Sequence, residues 1–146
     1  VETQLVALAA LVALTIVVGV LWRSQQGRVR TATAPAEPAV DWSARGVDLG
    51  ETATFVQFSA QVCAPCRATS RVLRDLTAAR PGVAHHELDV EEHLDLVREL
   101  GVLKTPTVLV LGPDGAQVAR SSGGMSPAQA RDGLAAVVGT SAPAER

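Results

Sequence analysis

The first pattern along the chain is an unbroken apolar run. Positions 3 to 22, TQLVALAALVALTIVVGVLW, carry no charged side chain. A helix of about 20 residues rising 1.5 Å each covers about 30 Å, the thickness of a bilayer's hydrocarbon core. A cleaved leader has the same general character, but usually with a basic start and an apolar stretch of only about 7–15 residues. Here the run follows Val-Glu-Thr and is longer. The small-residue stretch Ala32-Thr33-Ala34 lies well beyond it, past Arg23, Arg28 and Arg30. A buried core helix needs surroundings that the remaining chain does not supply. The run is therefore expected to be a membrane anchor over residues 3–22. Glu2 precedes it and three arginines follow, and basic flanks stay cytoplasmic. That places the rest of the chain in the cytoplasm, with an extracytoplasmic domain as the alternative.

The pattern then changes. RTATAPAEPAV, residues 30 to 40, is rich in Ala, Pro and Thr without apolar periodicity, and residues 23–45 read as a linker. TFVQF, residues 54 to 58, predicts a short buried strand. Val72, Leu73 and Leu76 recur at helical spacing, and Arg80-Pro81-Gly82 stops that helix. VAHHELDV, residues 83 to 90, predicts a second strand. Leu94, Val97 and Leu100 mark a short helix from about Glu92 to Gly101. TVLVL, residues 107 to 111, is apolar throughout and predicts a strand buried on both faces. Gly112-Pro113-Asp114-Gly115 predicts a hairpin turn, with QVAR, residues 117 to 120, as the return strand. Ser126-Pro127 caps a last helix running to about Val138.

Strand, crossover helix and strand make a parallel unit, and the hairpin adds antiparallel pairing. The expectation is an α/β domain over residues 46–140, a mixed sheet of about four strands flanked by helices, with a flexible tail at 141–146. At 146 residues the chain holds one such domain and an appendage. The net charge of −2, with mixed signs, gives no basic patch for nucleic acid.

The chain has two cysteines, Cys63 and Cys66, in VCAPC. They fall where the first strand gives way to the first helix. Two side chains at i and i+3 in a first turn are within disulfide reach. As a staple, so short a loop contributes only about 2 kcal/mol by loop entropy. A metal site needs further ligands, and His85, His86 and His93 lack the paired spacing of a zinc motif; they read as surface or strand residues. A redox centre has a mechanism. Helix N-termini carry unpaired N–H groups and partial positive charge. Such contexts lower a cysteine pKa from about 8.5 to roughly 3.5–7.5. Cys63 is then the attacking nucleophile. Cys66, one turn in and more buried, is the resolving thiol. Ala64 and Pro65 form the loop between them, and Pro65 suits a first turn, where its missing N–H costs little.

FVQFSAQVCAPCRATSRVL resembles the thioredoxin active-site region. Leu103-Lys104-Thr105-Pro106-Thr107 resembles the same family's cis-proline segment. The hairpin and Gly123-Gly124 before the last helix fit too, so the similarity covers about residues 50 to 139. It implies a thioredoxin-like fold, a cis Pro106 packed by the cysteine pair, and Thr105 offering backbone groups to substrate. It also implies a thiol–disulfide oxidoreductase acting on protein disulfides through a Cys63–Cys66 dithiol, with no separate cofactor. The implied partners are protein disulfide substrates, a reductase or membrane electron donor, and the membrane through residues 3–22.

The departures are specific. The family carries Trp before the first cysteine, where Val62 stands here. Its buried Asp, credited with proton transfer at the resolving cysteine, is replaced by Gln57, which cannot titrate. Glu87 on the next strand could take that proton, although its plainer reading is a solvated strand carboxylate. DWSARGVDLGE, residues 41 to 51, is too short for the family's first strand and helix, so a trimmed domain is expected, with Trp42 packing on its edge. Two other functions stay open. One is a binding module that uses the groove between the cysteines and Pro106. The other is extracytoplasmic thiol–disulfide exchange in cytochrome maturation. Against the module, a pure scaffold has no need of two exposed thiols.

Overall fold

A computed structural model describes residues 2–25, 30–31 and 40–141. The first helix, α1 (Glu2–Gln25), is long and apolar enough to cross a membrane by length and composition. Every residue from Glu2 to Leu21 is exposed, Leu5, Leu11 and Ile16 among them.

The remaining elements are β1 (Arg30–Thr31), a 3₁₀ turn (Ser43–Arg45), β2 (Ala53–Ser59), α2 (Ala64–Ala78), β3 (Val83–Asp89), α3 (Leu94–Glu99), β4 (Thr107–Leu111), β5 (Gln117–Ser122) and α4 (Pro127–Ser141). They form one five-stranded sheet in the order β1-β5-β4-β2-β3. β2 and β3 run parallel through the α2 crossover, and the other pairings are antiparallel. The four strands legible in the sequence are joined by β1, which pairs with β5 at the sheet edge.

Residues 23–45, read above as linker, thus include a strand and a helical turn that pack on the domain. Trp42 is buried to 5% exposure, and its indole N–H donates to the Gly115 carbonyl at 2.9 Å. It packs in the hydrophobic cluster rather than merely against an edge. Among the described residues, the 3₁₀ turn is the sole helical element between positions 40 and 52. Residues 32–39 and 142–146 lie outside the described residues, and with them the Ala32–Ala34 stretch and all of the expected tail except Ser141, which ends α4.

Strand alternation splits the core in two. Val56 and Phe58 face Trp42, Leu96 and Leu109 on one side of the sheet. Ala53 and Phe55 face Leu73, Val110 and Leu134 on the other. Both phenylalanines are fully buried, each stabilising the fold by roughly 1.5–3 kcal/mol. β4 is buried at every position, as its unbroken apolar run predicts. α2 buries Cys66, Thr69, Ser70 and Leu73, one stripe at helical spacing. It ends at Ala78, before Pro81-Gly82, and Gly82 takes a φ of 81° that favours glycine. The C-terminal end of α3 is closed by Arg120, whose guanidinium donates to the Leu100 and Gly101 carbonyls at 2.7 and 2.9 Å.

Candidate active site

β2 delivers the chain to one end of the sheet, and the loop after Ser59 leads into α2. Cys63 is the N-cap of that helix, with Ala64 and Pro65 as its first two residues, both exposed. The Cys63 Sγ accepts the Cys66 backbone N–H at 3.2 Å, which satisfies one of the unpaired first-turn donors. Cys63 and Cys66 form a disulfide across a Cα separation of 5.2 Å. In this state neither residue is broadly exposed: Cys63 is 8% accessible and Cys66 2%. The expectation of two exposed thiols is corrected in that respect, because the helix start folds both over the sheet end. The order of accessibility is the one a nucleophile and a resolving thiol require.

The Thr105–Pro106 peptide is cis. Pro106 is buried and Thr105 half-buried at the same end of the sheet. The Pro106 carbonyl accepts the Gly123 N–H at 2.7 Å, and a Cβ added at Gly124 would lie 3.9 Å from that of Pro65. Gly123-Gly124 therefore bridges the cis-proline segment and the C-A-P-C loop. Met125 continues the bridge, its N–H donating to the Thr69 hydroxyl of α2 at 3.0 Å. Around this assembly two large apolar side chains stand almost free in solvent, Val62 at 97% and Leu103 at 95% exposure.

Beneath Cys66 lies a polar cluster that sequence reasoning glimpsed only in part. Gln57 is fully buried. Its Nε2 lies 2.8 Å from Ser59 Oγ, 3.0 Å from the Cys66 carbonyl, 3.0 Å from Ser70 Oγ and 3.2 Å from Glu87 Oε1. A carbonyl and a carboxylate accept only, so this amide edge must present the nitrogen. Ser59 and Ser70 donate in turn to the two Glu87 oxygens at 2.6 and 2.8 Å. Glu87 as a residue is exposed, but its carboxylate is not simply solvated: it closes the cluster from the solvent side. Gln57 Oε1 is buried with no hydrogen-bond partner among the described residues. Ser59 and Ser70 were missed. The available signal was spacing, since Ser59 is two strand positions from Gln57 and Ser70 one helical turn from Cys66.

His85 lies two positions before Glu87 on β3. Burial lowers its pKa from 6.5 to about 4, partly opposed by the Glu87 charge and reinforced by Arg74 and His86. Its Nε2 is buried without a hydrogen-bond partner among the described residues. The other histidines are local tethers, His86 on the Asp48 carbonyl at 2.9 Å and His93 on that of Asp89 at 3.0 Å.

Fold and site together define a domain of the thioredoxin-like class: a disulfide-bonded, helix-capping C-x-x-C and a cis-proline at one end of a mixed sheet. The thioredoxin family model matches residues 44–136, and the chain belongs to that family. It is 34% identical over 85 residues to mitochondrial thioredoxin of Rattus norvegicus, covering 58% of this chain and 51% of the relative. It is 41% identical over 63 residues to putative thioredoxin H10 of Arabidopsis thaliana, covering 43% and 40%. The chain thus spans about half the length of the first of these relatives and less of the second. Oxidised mitochondrial thioredoxin 3 of Saccharomyces cerevisiae superposes with a TM-score of 0.52 at 28% identity, over 58% of this chain and 78% of that one.

Proposed function

We propose that the chain is a membrane-tethered thiol–disulfide oxidoreductase that reduces protein disulfides through Cys63 and Cys66. The observation that carries this reading is the Cys63–Cys66 disulfide held at the N-terminus of α2, with the outer sulfur accepting a helix N–H. In the reduced state the same amides and the helix dipole stabilise a thiolate at Cys63. That thiolate attacks one sulfur of a client disulfide. A mixed disulfide forms and the first client thiolate leaves. Cys66 then loses its proton and attacks Cys63 Sγ. The mixed disulfide breaks, the second client thiolate leaves, and the Cys63–Cys66 bond closes. The client gains two electrons, and the dithiol gives up two protons.

Cys66 is buried, so its proton needs a route out. Ser70 lies one turn further along α2 on the same buried stripe and donates to Glu87. In this reading Ser70 passes its hydroxyl proton to Glu87 as it takes the one from Cys66, and Glu87 returns it to water. Gln57 holds Ser70, Glu87 and the Cys66 carbonyl in line. Thr105 and Pro106 form the wall against which the client backbone lies. A reductase or membrane electron donor regenerates the dithiol. The three arginines after the apolar run 3–22 favour a cytoplasmic domain.

The test is insulin reduction by the full chain in detergent, driven by dithiothreitol. Turnover is expected in the parent and is lost in Cys63→Ser. Cys66→Ser is expected to accumulate a mixed disulfide visible on a non-reducing gel. No turnover in the parent favours a binding module. Protease treatment of intact cells, with a tag on the C-terminal end, checks topology: protection supports the cytoplasmic placement, and digestion overturns it.

A further inference from the structure

The direction in which the chain enters the sheet bears on where the site faces. α1 ends at Gln25 and β1 begins at Arg30. Five Cα steps of 3.8 Å allow at most about 19 Å between those two residues. The tether is therefore short. Its direction follows from register. β1 is antiparallel to β5, with Arg30 opposite Arg120 and Thr31 opposite Ala119. Backing out of β1 towards α1 thus means moving along β5 towards Ser122. That end of β5 is the site end, where Gly123 bonds Pro106 and Gly124 meets Pro65. Arg120 pairs with Leu109, which pairs with Val56. The last rung, Phe58 with Thr107 and Ser122, is two residues further on, about 7 Å at 3.3 Å per residue. Between β1 and β2 lie β5 and β4, so the lateral offset is three strand spacings, about 14 Å. The chain leaves the sheet towards the cysteines and away from the Trp42 and Gly115 end.

We infer that the domain is held with its C-A-P-C end turned to the bilayer surface, and that its redox partner there is an integral membrane protein presenting a dithiol at that surface. This rests on the membrane-tethered oxidoreductase reading above. A partner thiolate attacks Cys63 Sγ, the bond to Cys66 breaks, and Cys66 takes up a proton. The second partner thiol, on losing its proton, attacks the mixed disulfide. The partner leaves oxidised and Cys63 leaves reduced, two electrons having moved to the domain. Val62 and Leu103 flank the route at 97% and 95% exposure. Two large apolar side chains so exposed beside a site suit an apolar partner surface.

The experiment uses the full chain in phosphatidylcholine–phosphatidylglycerol vesicles containing a nickel-chelating headgroup lipid. In a Cys63→Ser, Cys66→Ser background, a nitroxide is placed by Val62→Cys, by Leu103→Cys or by Asp114→Cys; all three positions are exposed. Nickel is expected to relax the label at positions 62 and 103 several-fold more than at 114. Equal relaxation, or stronger relaxation at 114, overturns the orientation. The partner is then tested with a transmembrane peptide carrying an interfacial Cys-x-x-Cys in the same vesicles. Twenty Gly/Ser residues inserted after position 27 lengthen the tether about fivefold. A longer tether lets the cysteine end move off the surface and turn away from it, so oxidation of the peptide is expected to slow several-fold. Reaction of the reduced domain with a soluble aromatic disulfide should not change. An unslowed peptide reaction overturns the membrane partner. Failure to float with vesicles, or to react with the soluble disulfide, removes the tether or the redox reading beneath it, and the two failures are separately visible.

Discussion

Gln57 and Glu87 stand opposite each other in the parallel register of β2 and β3, and their side chains meet at 3.2 Å. One strand supplies a neutral amide under Cys66 and its neighbour supplies the carboxylate. Because Ser59 and Ser70 also donate to Glu87, that carboxylate is the negative group of a hydrogen-bonded cluster reaching the Cys66 carbonyl.

If Glu87 accepts the Cys66 proton, Glu87→Gln keeps the shape and removes the acceptor. Client release should slow on the order of tenfold to a hundredfold at pH 7. The loss should shrink as the pH approaches the ordinary cysteine range near 8.5. Glu87→Asp should recover part of the rate. Stopped-flow release of a fluorescent client between pH 5.5 and 9 reads this out. A loss equal at every pH assigns Glu87 a structural role only.

Gln57→Asp places a second carboxyl beside Glu87. Two carboxylates sharing a site cannot both ionise readily, so one titration moves up. The unfolded acid titrates near 3.9. The folded protein then binds more protons above that pH, and stability falls as pH rises from about 4 through the raised value. Both proteins carry the His85 slope, so the reading is the difference between them: the variant's urea midpoint should fall progressively further below the parent's at pH 4, 5.5 and 7.

His85 makes the opposite slope. Its folded pKa of about 4 lies below the unfolded 6.5, with burial the main cause. Between those values the unfolded chain binds a proton that the folded one does not. Stability should fall as pH drops from about 6.5 to 4 and level off below, by on the order of 1–3 kcal/mol. His85→Leu should flatten that part of the curve. Thermal melts from pH 4 to 7 check it.

Gly50 sits where three backbone atoms converge. A Cβ there would lie 2.5 Å from the Ala53 carbonyl, 2.6 Å from that of Gly82 and 2.9 Å from the Ala84 nitrogen. None can swing aside as a side chain would. Gly50→Ala should cost about 3 kcal/mol or more. Gly139→Ala, with open space around its Cβ, should be neutral or slightly stabilising. Their urea midpoints should separate accordingly.

Much of this was legible along the chain. Strand and helix order followed from short β-branched runs and from Val72, Leu73 and Leu76. The cysteine pair followed from its place between strand and helix, and Pro106 from its resemblance to a known segment. What stayed hidden depends on pairing across distance. Glu87 reads as solvated because its residue is exposed; only the register with Gln57 turns its oxygens inward. Arg30–Thr31 is too short for any periodicity, and its partners lie some 90 positions later. Trp42 falls in a stretch without rhythm, and its burial depends on the hairpin carbonyl of Gly115.

That last contact decides how the protein can be watched. Trp42 and Trp22 are the two tryptophans of the chain. Position 62 beside the disulfide holds valine, and Trp42 is bound at Gly115, the opposite end of a seven-residue central strand about 23 Å long. Opening or closing the disulfide therefore leaves the domain's own indole emission nearly unchanged, while loss of the fold alters it. Fluorescence of the domain would follow unfolding, and the redox state would need a chemical reporter of its own.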